Sequence, residues 1–285
     1  MSTSPGSNAA RGKERPDRPH APFAARLTSC LRCLPDFLII GAQNCGTSTL
    51  HAQLATHPDI RPASRKELHF FDRHYWRGLS WYRALFPAAP PFGRNWLTFE
   101  ATPSYLFHPH AAERLAKAQP RARLIVLLRD PVERAYSHYQ MSLRQQVEPL
   151  SFEAAIDAEE ERLTPELERM AADPTYYSGV VRKQSYLARG RYAEQLERWF
   201  QYFPREQVRV YTARELRQET RRLHQELFEF LGLRDVELPA VPDRNVARYE
   251  PMRPETRARL AEYFAPHNER LYRLLGRDFG WNSKK

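Results

Sequence analysis

Two glycines near the start of the chain have the spacing of an anion-binding loop. Gly41 and Gly46 lie five positions apart, between the apolar run at residues 37–40 and a segment with helical spacing. A strand, a glycine-flanked loop and a helix N-terminus bring backbone N–H groups and the positive end of a helix dipole to one point. This arrangement predicts a site for phosphate or sulfate, and a tight turn without a ligand is the alternative that the spacing leaves open.

The residue after the second glycine separates this loop from that of kinases and nucleoside triphosphatases. Those proteins need a lysine at this position, whereas Thr47 follows Gly46 in this chain. A P-loop kinase is therefore disfavoured, while the anion site itself stays predicted.

The cysteines do not predict a metal centre. Cys30 and Cys33 form an isolated Cys-x2-Cys pair, and no second pair of Cys or His residues lies at the spacing of a zinc site. Two incidental cysteines are the favoured interpretation. We expect the chemistry of this protein to need no metal.

Alternating strands and helices would position the loop. Four apolar runs predict strands buried on both faces of a mainly parallel sheet, at residues 37–40, 96–99, 124–128 and 208–211. Helical spacing recurs between and after them, at residues 47–56, 111–118, 132–146, 186–203, 215–231 and 254–275. The pattern predicts one α/β domain over residues 36–283, with a central sheet flanked by helices in three layers.

Arg129 stands where such a sheet binds ligands. It directly follows the apolar run at residues 124–128, and Ser137 lies eight positions further along the chain. Open α/β sheets bind ligands at the carboxyl ends of their strands, and a guanidinium with a hydroxyl suits a dianion. A surface pair of Arg129 with Asp130 and an exposed serine is the alternative.

The charge of the chain favours an anionic ligand without identifying it. Of the 285 residues 44 are basic and 34 acidic, which gives a net charge of +10. Nucleic acid would fit such a balance. Residues 1–35 carry +4 and the last two lysines +2, however, so residues 36–283 carry only +4. Because no module of interleaved basic and aromatic residues is visible, we expect a small ligand rather than nucleic acid.

Cysteine usage and hydropathy predict a cytoplasmic protein. Three cysteines are too few for a disulfide framework, and no apolar run approaches the roughly 20 residues of a membrane span. Residues 1–35 are rich in Pro and Arg, show no periodicity and lack the apolar centre of a signal peptide. We predict that they form a disordered basic tail.

Three further motifs follow the loop along the chain. They are Lys66-Glu67-Leu68-His69-Phe70-Phe71-Asp72, Glu100-Ala101-Thr102-Pro103-Ser104-Tyr105 and Leu128-Arg129-Asp130-Pro131. With the loop they resemble the sulfotransferases that use 3′-phosphoadenosine 5′-phosphosulfate (PAPS), in particular the bacterial relatives of the heparan sulfate N- and 3-O-sulfotransferases. The resemblance runs from Asp36 to about Trp281. It implies a P-loop NTPase-like fold, with PAPS and its product 3′-phosphoadenosine 5′-phosphate (PAP) as ligands.

The resemblance implies a donor site made by two parts of the chain. Arg129 and Ser137 correspond to the residues that hold the 3′-phosphate, and Arg248 lies in a loose match to a loop that closes over the donor. The 5′-phosphosulfate is assigned to the loop residues Gln43, Asn44, Cys45, Gly46, Thr47, Ser48 and Thr49.

The resemblance also implies an acceptor site. Glu67 takes the position of the general base, which removes the proton of the acceptor as its oxygen attacks sulfur. His69 is its catalytic neighbour, and Lys66, Asp72 and Trp81 complete the predicted acceptor site. Without the resemblance, these residues would be an exposed ion pair, a packed histidine and a core aromatic.

Two residues depart from the family pattern. Asn44 stands where the family loop usually carries a lysine that reaches the bridging oxygen of the phosphosulfate. Ala101 replaces a lysine common in heparan sulfate members, which argues against an acidic glycan as acceptor. The acidic stretch at residues 153–168 is favoured as a solvated helix face, with a mobile flap over the site as the alternative.

The sequence thus predicts a sulfotransferase that moves the sulfuryl group of PAPS to a hydroxyl or amine acceptor, a carbohydrate or a small metabolite. A PAPS- or PAP-binding protein without turnover is the alternative, because Asn44 supplies no charge. A nucleic-acid-binding protein is the third hypothesis, and a P-loop kinase is the weakest.

Overall fold

Five parallel strands form the central sheet of the computed structural model, which describes residues 23–242 and 249–282. The sheet has the spatial order β2-β3-β1-β4-β5, with β1 (Phe37–Gly41), β2 (Ile60–Pro62), β3 (Leu97–Ala101), β4 (Arg123–Leu128) and β5 (Val208–Thr212). Because β1 lies in the middle, between β3 and β4, its residues 37–40 are fully buried. A strand covered on both faces requires the continuous apolar run seen in the sequence.

Helices flank this sheet, and α2, α9 and α11 contribute to the same apolar core as the strands. Within the described residues none of them is long and apolar enough to cross a bilayer. They are α1 (Phe23–Leu27), α2 (Thr47–Leu54), α3 (Leu79–Arg83), α4 (Ala111–Ala118), α5 (Pro131–Arg144), α6 (Phe152–Asp157), α7 (Glu159–Ala172), α8 (Gly179–Lys183), α9 (Tyr192–Phe200), α10 (Ala213–Gln218), α11 (Thr220–Leu231) and α12 (Pro254–Leu275).

Local signals set the ends of several helices. Pro131 opens α5, and the Asp130 side chain accepts a hydrogen bond from the Val132 N–H at 2.9 Å. Thr212 and Glu215 form a reciprocal capping box that starts α10 directly after β5. The single helix predicted over residues 215–231 is two helices, α10 and α11, which are separated at Glu219. Helix α12 has the predicted bounds.

The predicted strands are confirmed as β1, β3, β4 and β5. The strand β2 escapes prediction because it is only three residues long and contains Arg61 and Pro62, which break any apolar run. The helix predicted over residues 186–203 is confirmed only for α9, which follows a short 3-10 turn at Ala188–Gly190.

The packed part of the chain begins before residue 36, which is earlier than predicted. Cys33 is buried, and its N–H donates a hydrogen bond to the Pro87 carbonyl at 3.0 Å. The Arg32 guanidinium donates to the Phe86 carbonyl at 2.7 Å. These contacts tie the segment before residue 36 to the domain, whereas the sequence predicted a disordered tail over residues 1–35. Residues 1–22 lie outside the described part of the chain.

The acidic stretch forms α6 and α7, and most of its carboxylates face solvent. Glu159 is the exception, because it is buried and accepts hydrogen bonds from the N–H groups of Leu187 and Ala188 at 2.6 and 2.8 Å. Burial raises the pKa of Glu159 to about 7. This carboxylate thus fixes the chain just after α8, a helix that contributes to the site described below.

Candidate active site

A cleft of about 580 Å³ opens at the carboxyl ends of the parallel strands. Its lining includes residues that follow β1, β3, β4 and β5, namely Gln43, Ser104, Arg129 and Ala213. A smaller compartment of about 320 Å³ adjoins it and shares Ser48, Glu67, His69 and Arg182 with it. Side chains far apart in sequence meet here because parallel strands end at the same edge of the sheet.

The loop between β1 and α2 forms one wall of the larger compartment. Gly46 precedes α2 in the left-handed conformation, with a φ of 93°, and no side chain caps the start of this helix. A Cβ at Gly46 would lie 3.2 Å from Leu216 Cδ2, so the position needs glycine on two grounds. The buried oxygens Gln43 Oε1 and Asn44 Oδ1 accept no hydrogen bond in the described structure. The loop thus presents uncapped backbone donors together with two side-chain acceptors.

Two loop residues differ in what they offer to a ligand. The Asn44 amide nitrogen lies 3.9 Å from Met141 Sδ, and both residues line the cleft. Cys45 is turned inward, where its thiol lies 3.6 Å from the Gln43 carbonyl and 3.9 Å from the Tyr192 hydroxyl. Burial raises the pKa of the Cys45 thiol to about 11. Only the backbone of this cysteine is placed to serve the predicted anion site.

Arg129 and Ser137 reach the same cleft from β4 and α5. The Arg129 Nη2 atom lies 3.5 Å from Glu133 Oε2, a long contact. Glu133 is already paired with Arg257 at 2.5 Å. The Tyr192 hydroxyl donates to the Arg129 carbonyl at 2.8 Å and fixes the backbone. The guanidinium is therefore held at the cleft by the sheet while its charge is only weakly engaged.

A series of five connected side chains lies at another part of the cleft. His69 Nδ1 and Asp72 Oδ2 are 2.9 Å apart, and His69 Nε2 lies 3.5 Å from Glu67 Oε2. Lys66 Nζ donates to Glu67 Oε1 at 2.7 Å. The Ser104 hydroxyl donates to Asp72 Oδ2 at 2.5 Å. Asp72 thus orients His69, and His69 faces Glu67 at the surface of the cleft.

The side chains of Glu67, His69 and Asp72 are ionised at neutral pH. Burial lowers the pKa of His69, but the carboxylates of Asp72 and Glu67 outweigh it and raise the value to about 9. Burial also opposes ionisation of Glu67, yet hydrogen bonds from His69 and Lys66 lower its pKa to about 2. The pKa of Asp72 lies well below its usual range, because its attraction to His69 exceeds the cost of burial. Glu67 is therefore a carboxylate that can accept a proton.

The end of β3 anchors this part of the cleft through a buried carboxylate. Glu100 accepts hydrogen bonds from the hydroxyls of Tyr82 at 2.6 Å, Thr102 at 2.7 Å and Tyr105 at 3.0 Å. The Phe70 N–H in turn donates to the Tyr105 hydroxyl at 2.8 Å. Burial raises the pKa of Glu100. The cluster holds the loop that carries the ionised side chains onto the sheet.

Both Glu67 and His69 have left-handed backbone conformations, with φ of 60° and 51°. Non-glycine residues take this conformation at a cost, and such residues concentrate at functional sites. The Glu67 N–H donates to the Ala101 carbonyl at 3.0 Å and the His69 N–H to Thr102 Oγ1 at 3.4 Å. Strand β3 thus holds the two residues in the conformation that aims them at one another.

Residues 34–258 match the model of the sulfotransferase domain. The chain belongs to this family. It is 30% identical over 318 residues to the membrane-associated sulfotransferase kil1 of Dictyostelium discoideum, covering 89% of this chain and 68% of that protein. It is 32% identical over 291 residues to human heparan sulfate glucosamine 3-O-sulfotransferase 6, covering 94% and 79%. A crystal structure of a sulfotransferase from Alicyclobacillus acidocaldarius matches with a TM-score of 0.67 at 33% identity, covering 87% of this chain and 99% of that one.

The predicted resemblance and the P-loop NTPase-like fold are thereby confirmed. The protein is a sulfotransferase, an enzyme that transfers a sulfuryl group, and its family takes that group from PAPS. The anion-binding loop and the ionised side chains around Glu67 lie within the matched residues.

The sulfotransferase fold brings most predicted donor residues together. Gln43, Asn44, Gly46, Thr47, Ser48 and Thr49 all line the larger compartment, together with Arg129 and Ser137. Arg248 lies outside the described residues, although its neighbour Tyr249 lines the cleft.

Two predicted acceptor residues lie elsewhere than expected. Trp81 is only 2% exposed and packs against Phe70, with ring centroids 6.0 Å apart. It is therefore a core aromatic, which is the interpretation that the sequence supported without the family resemblance. Asp72 is also buried and binds His69. Lys66 lines the smaller compartment. Packing of the aromatic cluster below β3 places Trp81 and Asp72 beneath the cleft surface rather than at it.

The sulfotransferase cleft also contains cations that the motifs did not indicate. Arg144 ends α5, Arg182 and Lys183 lie on α8, and Arg217 lies on α10. Of these four residues, only Arg182 and Lys183 are adjacent in the sequence. A basic pair of this kind is by itself typical of a solvated surface. Among the described residues no group of three His, Cys, Asp or Glu side chains is arranged to hold a metal.

Proposed function

We propose that this sulfotransferase transfers the sulfuryl group of PAPS to a hydroxyl or amine group of a carbohydrate or a small metabolite. The proposal rests on one observation, that an anion-binding feature and a carboxylate base line the same cleft. An uncapped helix start with Arg129 and Ser137 faces an ionised Glu67 held by His69. The first suits an anionic donor and the second suits a proton acceptor.

The donor side fits PAPS in charge and in hydrogen-bonding capacity. The start of α2 offers N–H groups and the positive end of a helix to the phosphosulfate. Arg129 and Ser137 offer a guanidinium and a hydroxyl to the 3′-phosphate. The buried oxygens of Gln43 and Asn44 can accept hydrogen bonds from donor groups of the ligand.

The acceptor side supplies a base for the transfer. When bound, PAPS supplies the sulfuryl group. Glu67 takes the proton of the acceptor hydroxyl or amine as the bond from acceptor to sulfur forms. The bond from sulfur to the bridging phosphate oxygen breaks, and its electron pair leaves with PAP. His69 holds Glu67 in place, and the protein otherwise contributes positioning and electrostatic stabilisation.

A second candidate is a PAPS- or PAP-binding protein without turnover. Asn44 favours it, because the segment from Gly41 to Thr49 contains no basic side chain. Such a protein would retain Arg129 and Ser137 as nucleotide contacts.

Calorimetry with PAP, followed by an acceptor screen with labelled PAPS, distinguishes the two candidates. The proposal expects PAP binding together with transfer of label to at least one sugar, amino sugar or small hydroxyl compound. Binding of PAP without labelled product across the panel would favour the non-catalytic binder. Absence of PAP binding would contradict both, and the Arg129→Gln variant serves as the control for specific nucleotide binding.

A further inference from the structure

The loop that faces the predicted phosphosulfate lacks a positive side chain. Its nine residues from Gly41 to Thr49 include no Lys or Arg, and Asn44 offers only an uncharged amide. Negative charge must nevertheless be stabilised on the sulfuryl oxygens and the departing phosphate during transfer. A cation from another element is therefore required at this point of the cleft.

Arg182 is the cation that lies at the junction of the two compartments. Arg129, Arg144, Lys183 and Arg217 line only the larger compartment, whereas Arg65 and Lys66 line only the smaller one. Apart from the protonated His69, which is already paired with Asp72 and Glu67, Arg182 is the one cation among the described cleft residues that lines both. The other shared residues are Ser48 at the start of α2 and the pair Glu67 and His69, so the junction lies between the anion-binding loop and the base.

The structure holds Arg182 in place from two sides. Its Nη1 atom donates to the Tyr177 hydroxyl at 3.1 Å. The Arg73 guanidinium lies 4.8 Å from the centre of the Tyr177 ring. The Ser178 side chain caps α8 by accepting from the Val181 N–H at 3.1 Å. Arg182 thus sits on a capped helix turn, and its guanidinium donates to a neutral hydroxyl.

The chain after α8 is fixed as well. Buried Glu148 accepts hydrogen bonds from the Tyr186 hydroxyl at 2.9 Å and from the Gln184 amide at 3.3 Å. Glu159 accepts from the backbone just beyond. Burial opposes the charge of Arg182, but the Tyr177 hydroxyl and, after it, the carboxylates of Asp72 and Glu67 raise the pKa of the guanidinium. The guanidinium is therefore charged and preorganised, which is what electrostatic stabilisation of a transition state requires.

We propose that Arg182 binds the sulfuryl oxygens during transfer and supplies the positive charge that Asn44 does not. This inference rests on the proposed function, since it assigns a further catalytic residue to sulfuryl transfer. The guanidinium exchanges no proton or electron pair in the reaction. It stabilises the oxygens of the group that moves from the phosphate of PAPS to the acceptor.

The test compares Arg182→Gln with Arg182→Lys and with Arg221→Gln, an exposed arginine that pairs with Asp235 at 2.6 Å. For Arg182→Gln we expect kcat to fall by about 10² to 10³, as for removal of one oxyanion donor. PAP lacks the sulfuryl group, so the Kd for PAP should stay within about twofold, whereas PAPS should lose affinity relative to PAP. Arg182→Lys should retain part of the activity because it keeps the charge, and Arg221→Gln should match the wild type.

A double variant provides the sharper comparison. Asn44→Lys should restore the activity of Arg182→Gln at least tenfold, because the charge returns from the loop. Wild-type kcat in Arg182→Gln, a parallel loss of PAP affinity, or no rescue by Asn44→Lys would each overturn the inference.

Failure of the proposed function gives a different pattern. If the wild type binds PAPS but forms no product, the ratio of PAPS to PAP affinity in Arg182→Gln still decides the role of Arg182. An unchanged ratio would then contradict it. If the wild type binds neither nucleotide, both the proposed function and the inference are wrong.

Discussion

The Nδ1 atom of His69 lies 2.9 Å from Oδ2 of Asp72, and both side chains are buried, His69 at the wall of the cleft and Asp72 beneath it. This contact turns the other ring nitrogen of His69 toward Glu67, at 3.5 Å. A histidine beside a buried carboxylate keeps one ring orientation and stays protonated to higher pH. Asp72 is therefore a positioning residue, which acts on Glu67 only through His69.

Replacing Asp72 with Asn should change the titration of His69. The wild-type imidazole titrates at a pKa of about 9, and loss of the Asp72 carboxylate should lower that value by at least one unit. NMR titration of the imidazole resonances measures the shift. Asp157→Asn, which changes an exposed carboxylate on α6, serves as the control, and an unchanged pKa of His69 in Asp72→Asn would show that the pair is not coupled.

The same pair predicts how stability depends on pH. The pKa of His69 is raised on folding, so its stabilising contribution is fully present below about pH 6.5 and is lost as the pH rises through about 9. Urea unfolding measures the free energy of unfolding of wild type and of Asp72→Asn at pH 6 and at pH 10. The difference between the two proteins should be larger at pH 6 than at pH 10, by on the order of 3 kcal/mol at most. A difference that grows toward pH 10 would contradict this sign.

Glu67→Gln tests the base directly. Gln cannot take the acceptor proton, so kcat should fall by about 10² to 10⁴, while PAP affinity stays within about twofold because Glu67 faces the acceptor. Steady-state kinetics and calorimetry measure the two effects. Glu113→Gln, at a partly exposed position on α4, should behave as wild type. A Glu67→Gln enzyme with normal turnover would exclude Glu67 as the base.

Glu100→Ala tests the anchor at the end of β3. The substitution leaves the hydroxyls of Tyr82, Thr102 and Tyr105 without their buried acceptor. The free energy of unfolding should fall by about 2 to 5 kcal/mol, since each buried group without a partner costs about 1 to 3 kcal/mol. Glu100→Gln keeps the shape and one acceptor oxygen and should cost less. Equal stability of Glu100→Ala and wild type in urea would contradict the anchoring role.

A chelator should leave the activity unchanged. Arg129, Arg182 and Lys183 line the cleft, and these cations can stabilise the charge of the donor and of the departing phosphate. Rates measured before and after treatment with EDTA should agree within error. A loss of activity that only Mg²⁺ or another divalent ion reverses would contradict this expectation.

The sequence alone determined those features that depend on neighbouring residues. The apolar run of β1, Gly41 and Gly46 around the loop, and the bounds of α12 between Pro254 and Gly276 are local, because backbone conformation and burial on both faces require those residue types. The spacing of the motif around Glu67 and His69 likewise placed both residues on one short loop. These features sufficed to predict the fold class, whereas the family resemblance was needed to propose the residues of the donor site.

Only the tertiary structure decided which distant side chains meet. Trp81 and Asp72 carry no local signal that distinguishes a buried position from one at the cleft, and the packing below β3 buried both. Arg182 lies on a five-residue helix far along the chain from the loop that it complements. Its position depends on the order of the strands and on the buried carboxylates of Glu148 and Glu159. Such contacts arise from the packing of whole elements, so no pattern of neighbouring residues reveals them.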